Sequence, residues 1–292
     1  MGDMTGASVG IIGLGLVGNA LAERFLHAGF NVHGFDIEKT PRLALASLHG
    51  TAQPTASDVA KACRRIVLSL PTTDIVEHVI SEIEPELQAG DIIVDTTTGE
   101  PDMMAAIGQS LAKRGVRYLD ATIAGSSAQV RAGDVIVMLG GDETAARECD
   151  DLLRSFAKQS FHLGPCGAGA RMKLVVNLVL GLNRAVLAEG LAFAQACGVD
   201  PAVALEVLKA GPASSRVMET KGKKMLMRDF EPQARLRQHL KDVRLILAEA
   251  VKHGAKTPLS ELHNKLLEAI DAAGFGDEDN SAIMRAFDPA KK

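Results

Sequence analysis

The sequence predicts an α/β domain with a mostly parallel sheet, followed by an all-α domain. Three observations carry this. In the first half, short apolar strand-like runs alternate with helical patterns, an order that makes successive strands parallel through right-handed crossovers. After Gly164 the strand-like runs stop and only helical periodicity follows. The chain is 47% hydrophobic but only 3% aromatic, so its core is aliphatic, which suits helix-rich α/β packing better than an aromatic-stranded sandwich.

The first strand is SVGIIG (8–13), and the helical pattern after it runs to His27, with Gly29 placed to end the helix. NVHGFD (31–36) is the second strand, and RRIVLSL (64–70) is the third, stopped by Pro71. DIIVDT (91–96) is the fourth, opened by Gly90-Asp91. Pro101 suits the first turn of a helix running to about Arg114. VRYLDAT (116–122) is the fifth strand. VIVMLGG (135–141) and KQSFHLG (158–164) extend the sheet, with one helix over about 143–156 between them. Helices then cover about 170–197, 201–209, 215–227, 238–253 and 258–273. The domain boundary falls in the GPCGAGA loop, giving domains 1–164 and 165–292.

A formal charge of −4 gives no electrostatic footprint for nucleic acid. The basic clusters Lys221–Lys224 and Lys291-Lys292 read as a solvated helix face and a solvated tail. Cys63, Cys149, Cys166 and Cys197 stand far apart, in neither a CxxC nor a zinc pattern, so no metal is expected and free thiols in a reducing compartment are. MGDMTGASVG lacks the order of a signal peptide. Lys173, Asn177, Asn183, Arg184 and Glu189 interrupt the longest apolar run, so no membrane span is expected either. The expectation is a cytoplasmic protein.

Gly13-x-Gly15-x-x-Gly18 follows a predicted strand and opens a predicted helix, the context a dinucleotide-binding Rossmann domain needs. Gly13 permits the tight turn, Gly15 lets the backbone approach a pyrophosphate, and Gly18 lets the helix pack closely on the sheet. The helix N-terminus then offers N–H groups and partial positive charge to the phosphates. Asp36 ends the second strand, where a carboxylate accepts hydrogen bonds from a ribose 2′-hydroxyl and repels a 2′-phosphate. This favours NAD over NADP.

The ordered set GIIGLGLVGNALA, DTTTGEP, DATIAGSSAQVRAGD, GPCGAGARMKLVVN and HLKD resembles the β-hydroxyacid dehydrogenase family, which includes 3-hydroxyisobutyrate dehydrogenase and tartronate semialdehyde reductase (2-hydroxy-3-oxopropionate reductase). The resemblance spans nearly the whole chain. RDFEPQARLRQHLKD and GDEDNSA look most like the tartronate semialdehyde reductase branch. The resemblance implies a NAD-dependent enzyme that interconverts a small anionic 3-hydroxy acid and its semialdehyde, and a homodimer or homotetramer formed through the helical domain. It places the catalytic lysine at Lys173 and the substrate-side asparagine at Asn177. It assigns the cofactor to Gly13, Leu14, Gly15, Leu16, Val17, Gly18, Asp36, Leu70, Pro71 and Thr98, the last flanked by Asp95 and Pro101, and to Lys241 of the Lys241-Asp242 pair. Val17 stands where that loop often has Met.

The family's substrate loop usually reads D-A-P-V-S-G-G; here it is Asp120-Ala121-Thr122-Ile123-Ala124-Gly125-Ser126. The usual serine hydroxyl is absent at Ala124. Backbone N–H groups of Ala124, Gly125 and Ser126 are left to bind a carboxylate, with the Ser126 hydroxyl as a displaced substitute.

Lys173 and Asn177 lie one turn apart on an apolar helix, with Cβ atoms about 5–6 Å apart. An unpaired buried amine or amide is costly, so both need buried partners or a cleft. A snorkelling lysine satisfies the pattern equally well by itself; the glycine loop and dinucleotide fingerprint favour the cleft. Lys173 is then the acid/base and Asn177 orients the reacting oxygen. Arg235 and His239 share a side if the helix already runs there, and for Arg235 an anion-binding role and a solvated face are both open. His162 reads as structural, and Cys166 has no paired base. The competing readings are a non-catalytic NAD-binding assembly protein and an imine reductase-like enzyme; Lys173 argues against both, and Asp36 against the second.

Overall fold

In the computed structural model, which describes residues 6–288, aliphatic and β-branched runs form eight strands. They are β1 (Ser8–Ile12), β2 (Asn31–Phe35), β3 (Thr51–Ala52), β4 (Arg65–Leu68), β5 (Ile92–Asp95), β6 (Arg117–Ala124), β7 (Val135–Gly141) and β8 (Ala157–His162). One sheet holds them in the order β3-β2-β1-β4-β5-β6-β7-β8. Every neighbouring pair is parallel except β6–β7, which is antiparallel. The predicted strands and the mostly parallel sheet are therefore present.

Neighbouring residues on the central strands enter separate cores. Ile11, Val67 and Val94 pack in one cluster with Leu21 and Phe25 of α1 (Leu16–His27). Ile12, Ile66 and Ile93 pack in another with α3 (Ala56–Ala62), α4 (Thr73–Ile83) and α5 (Pro101–Ala112). Covered on both faces, the central strands have no polar side, and this is why they read as unbroken apolar runs.

Three differences from the sequence expectations have physical causes. β3, α2 (Lys39–Ser47), α3 and α4 lie outside the predicted elements. β3 is two residues long, and α2 buries only Leu45, so neither carries a period. The single helix expected over 143–156 is two, α7 (Glu143–Glu148) and α8 (Asp150–Phe156), because Cys149 leaves helical geometry at φ −101°, ψ 7°. The strand β7 runs antiparallel to β6 because only the short α6 (Ser127–Ala132) joins them, and Gly133 at φ +69° turns the chain back.

The chain divides into two compact units between Lys173 and Leu174. This point lies inside the 29-residue α9 (Ala168–Ala196). The remaining helices are α10 (Pro201–Ala210), α11 (Arg216–Met227), α12 (Leu236–His253) and α13 (Pro258–Ile270), then a π turn (Asp271–Phe275) and a 3₁₀ segment (Asn280–Phe287). Leu187, Leu191, Leu205, Met225, Leu240, Leu267 and Ile283 form their core. At its centre the Lys221 amine bonds both oxygens of Asp279 at 2.9 Å, and Asp279 also accepts from Gln233, Ala234 and Ser281. Lys221 is thus buried, not part of a solvated face; the Lys291-Lys292 tail lies outside the described residues.

The expectation about apolar runs is also corrected. α9 is long and apolar enough to cross a membrane by length and composition, and 44% of its most apolar window is buried inside the protein. Its polar residues are too few to lower the mean hydropathy of that window below what a span needs, and two of them, Asn177 and Arg184, are buried.

Candidate active site

The dinucleotide loop has the shape its glycines require. Gly13 takes φ +91°, and its N–H donates to the Phe35 carbonyl at 2.9 Å. A Cβ on Gly18 would sit 1.9 Å from the Gly13 carbonyl oxygen, so the first turn of α1 packs directly on the loop. A Cβ on Gly15 would meet nothing within 4 Å. That open space lies at the N-cap of α1, where no side chain caps the helix. The residues therefore fit a pyrophosphate approaching the backbone. Leu14 is buried, Val17 half-buried, and Leu16 stands exposed at the helix start. Asp36 is tied to the same loop: one carboxylate oxygen accepts from Leu14 N–H at 2.7 Å, the other from Glu38 N–H at 2.9 Å.

Two neighbouring strand ends are joined beside it. Leu70 N–H donates to the Thr97 hydroxyl at 3.2 Å, linking the Leu70-Pro71 turn to the DTTTG segment that carries half-exposed Thr98. Below that segment Asp95 is fully buried, accepting from Thr97 N–H at 2.9 Å and from the Tyr118 hydroxyl at 2.5 Å. Burial is the main reason its pKa rises to about 6, against the pull of Thr97 and Tyr118.

The Lys173 amine donates to the Ile123 carbonyl at 2.6 Å. This places it at the end of β6, beside the Ala124-Gly125-Ser126 segment. Ala124 is half-buried, Gly125 and Ser126 exposed. The Ser126 hydroxyl caps α6, accepting from Gln129 N–H at 3.3 Å and lying 3.2 Å from Gln129 Oε1. Serine at this position therefore has a local task, the S-x-x-Q capping box of Ser126 and Gln129, a motif present in the sequence that sequence reasoning did not use. Burial pushes the Cys166 thiol up, and that thiol donates to the Met104 carbonyl at 3.2 Å.

Asn177 and the α12 residues lie in the second unit. The buried Asn177 amide donates to Asp242 at 3.0 Å. Lys241, one-third exposed, is 3.9 Å from the other Asp242 oxygen. Arg184 follows on α9; burial draws its guanidinium down to about 10 and leaves it charged at neutral pH, with Asp279 and Asp242 opposing the shift. The His239 ring lies tilted at 47° beside His263, ring centroids 5.2 Å apart, and a Cβ on Gly181 would strike the His239 ring at 2.4 Å. Arg235 and His239 do not share a side. Arg235 is the N-cap of α12, 66% exposed and 4.0 Å from Asp277, because the helix starts only at Leu236. The His162 ring bonds the Gly141 carbonyl at 2.8 Å.

Sequence reasoning gave no role to Tyr118, or to Thr97 and Asp120, which it quoted only within motifs. The available signal was two aspartates at corresponding places in apolar strands: Asp95 and Asp120 are in register on β5 and β6. Among the described residues no group of three His, Cys, Asp or Glu side chains is placed to hold a metal.

Comparison with known proteins bears on the fold and the family. Residues 8–164 match the family model for the NAD-binding domain of 6-phosphogluconate dehydrogenase. Residues 167–287 match that described as the NAD-binding domain of NADP-dependent 3-hydroxyisobutyrate dehydrogenase. The chain is 30% identical to 2-(hydroxymethyl)glutarate dehydrogenase of Eubacterium barkeri, covering 96% of this chain and 94% of that one. It is 28% identical to L-threonate dehydrogenase of Cupriavidus necator, covering 96% of each. The solved structure of Mycobacterium tuberculosis 3-hydroxyisobutyrate dehydrogenase with L-serine superposes with a TM-score of 0.90 at 22% identity, over 97% of this chain and 99% of that one. With its glycine loop and its two-part fold, the chain belongs to the β-hydroxyacid dehydrogenase family, the NAD(P)-dependent oxidoreductases that include 3-hydroxyisobutyrate dehydrogenase.

Proposed function

We propose that this protein interconverts a small 3-hydroxy acid and its semialdehyde with NAD, using Lys173 as the acid/base. The observation that carries the reading is the Lys173 amine held on the Ile123 carbonyl at the mouth of the Ala124–Ser126 segment. NAD supplies the hydride chemistry when bound. In the oxidative direction the neutral Lys173 amine takes the proton of the substrate hydroxyl; in reduction its ammonium returns one to the carbonyl oxygen. Its bond to Ile123 uses one N–H and leaves the lone pair for that proton. Asn177 orients the same oxygen, its own amide fixed by Asp242. Backbone N–H groups of Ala124 and Gly125 bind the substrate carboxylate, since Ala124 has no hydroxyl and both the hydroxyl and the N–H of Ser126 are engaged with Gln129 in the α6 cap. Lys241 adds positive charge near the cofactor and substrate. Asp36, presenting a carboxylate at the end of β2, supports NAD over NADP. The relatives' names support small hydroxy acids as substrates.

We also propose a homodimer or homotetramer, and a cytoplasmic location. Val179, Val186 and Phe193 recur every seven residues on α9 and are 51%, 67% and 69% exposed. Such a stripe is costly to leave in water; light scattering that returns a monomer would refute the assembly. Exposed Cys197, with no disulfide among the described residues, supports a reducing compartment, and a periplasmic or secreted pool on fractionation would oppose it.

The test is reduced-cofactor formation from NAD and from NADP with 3-hydroxyisobutyrate, glycerate, threonate, 3-hydroxypropionate and 2-(hydroxymethyl)glutarate, wild type beside Lys173→Ala. Turnover of one member with NAD, lost in the variant while NAD still binds, is expected. Near-normal turnover by Lys173→Ala sinks the acid/base role, and higher efficiency with NADP sinks the Asp36 reading. Tight NAD binding with silence across the panel would favour a non-catalytic binding protein.

A further inference from the structure

The glycine loop Gly164–Ala170 docks on β6 more closely than a domain connection requires. Asp120, fully buried on that strand, accepts from Gly167 N–H at 2.8 Å through one oxygen and from Ala170 N–H at 2.7 Å through the other. Two residues on, and therefore on the same side of the strand, the Thr122 hydroxyl donates to the Gly169 carbonyl at 3.0 Å. The Ile123 carbonyl then receives the Lys173 amine. Three residues of β6, Asp120, Thr122 and Ile123, thus hold the chain from Gly167 to Lys173 at the start of α9.

The fit depends on small residues. A Cβ on Gly140 would lie 2.4 Å from the Asp120 carboxylate, and one on Gly169 would lie 2.6 Å from the Asp120 carbonyl. Gly167 takes φ +93°. A carboxylate meeting backbone N–H groups at a helix N-terminus makes short, charge-assisted bonds in the favourable direction of the helix dipole. Thr122 occupies the place where the resembling loop usually has proline, which has no hydroxyl to donate and could not make the Thr122–Gly169 bond.

We propose that Asp120 and Thr122 are positioning residues for Lys173: by fixing the start of α9 to β6 they set where the lysine amine sits. This rests on the reading of Lys173 as the acid/base. An isosteric asparagine at 120 offers only one oxygen where two N–H groups now converge, and valine at 122 keeps the strand but removes the donor.

The experiment compares wild type, Asp120→Asn, Thr122→Val and Lys173→Ala by turnover, by NAD affinity, and by the rate at which an amine-reactive reagent labels each lysine, read by peptide mass spectrometry. Displacing a catalytic group by about 1 Å costs on the order of a hundredfold, so Asp120→Asn should lose at least about tenfold in kcat and Thr122→Val a few-fold. NAD affinity should not change. Lys173 should label several-fold faster in both variants, while Lys221, locked on Asp279 in the other unit, labels as before. Wild-type turnover and labelling in both variants would overturn the proposal. So would a rise in Lys221 labelling that matches the rise at Lys173, since that reports general loosening. Should Asp120→Asn not fold, Thr122→Val decides alone. Full activity in Lys173→Ala would remove the acid/base reading and this proposal with it; an inactive Lys173→Ala beside normal positioning variants would remove only this proposal.

Discussion

Asp95→Asn probes the charge buried beneath the Thr96–Gly99 segment. Asp95 ends β5 in full burial, in register with Asp120, under the Tyr118 hydroxyl and the Thr97 N–H. Desolvation dominates and raises its pKa; the donors from Thr97 and Tyr118 pull it back, the Asp120 charge pushes it up, and it settles at about 6 from 3.8. A shift of that size, at about 1.4 kcal/mol per unit, is worth about 3 kcal/mol. Because the folded-state pKa is raised, the protonated form is the one the fold favours. Its stabilisation is complete below about pH 4 and is lost as pH rises through about 6. At pH 7.5 the wild type carries a buried charge that asparagine lacks. The stability difference should therefore move in favour of Asp95→Asn by about 3 kcal/mol between pH 4 and 7.5. The chain has one tyrosine and no tryptophan, so intrinsic emission comes from Tyr118 and follows the unit that holds Asp95. Urea melts read by that emission, at several pH values, supply the difference. The emission of the folded wild type should also fall with a midpoint near pH 6, as a carboxylate replaces a carboxylic acid at the phenol. A difference that does not vary with pH, or an inflection that survives in Asp95→Asn, would refute the reasoning.

Two further outcomes follow from the geometry. Gly15→Ala should leave the melting temperature unchanged, because its Cβ enters open space, yet weaken dinucleotide binding; Gly18→Ala, whose Cβ would overlap the Gly13 carbonyl, should lose binding and about 1–3 kcal/mol of stability as well, and calorimetry on the pair checks both. Lys221→Met strands the Asp279 carboxylate, which burial would raise but which Lys221, Ser281 and Gln233 hold down at about 2. It should cost about 3–5 kcal/mol at pH 7 by urea denaturation, and less as pH falls toward 3; a loss under 1 kcal/mol would show that the remaining donors suffice.

The strands, the dinucleotide loop and the helical second half were legible because each leaves a local trace: apolar runs bounded by Gly or Pro, glycines at fixed offsets, a 3.6-residue period. Lys173 and Asn177 stood out as polar residues on an apolar helix. Helices α2 and α3 left little trace: α2 buries only Leu45, and α3 is seven residues long, too short to show a period. The break at Cys149 and the reversal of β7 depend on backbone geometry that composition does not encode. Arg235 and His239 parted because the start of α12 decides which residue is cap and which is buried.

By itself, then, the sequence determined the order of the main strands and helices and the two-part fold, since hydrophobic periodicity and glycine spacing are properties of neighbouring residues, and its ordered motifs carried the resemblance to the family. Only the tertiary structure decided that Asp95 lies under Tyr118, that Asp120 binds the start of α9 and that Asn177 meets Asp242, 65 residues away. Those pairings are set by burial: a carboxylate or amide removed from water must find its donors among whatever the packed strands and helices bring within about 3 Å, and no local pattern says which these will be.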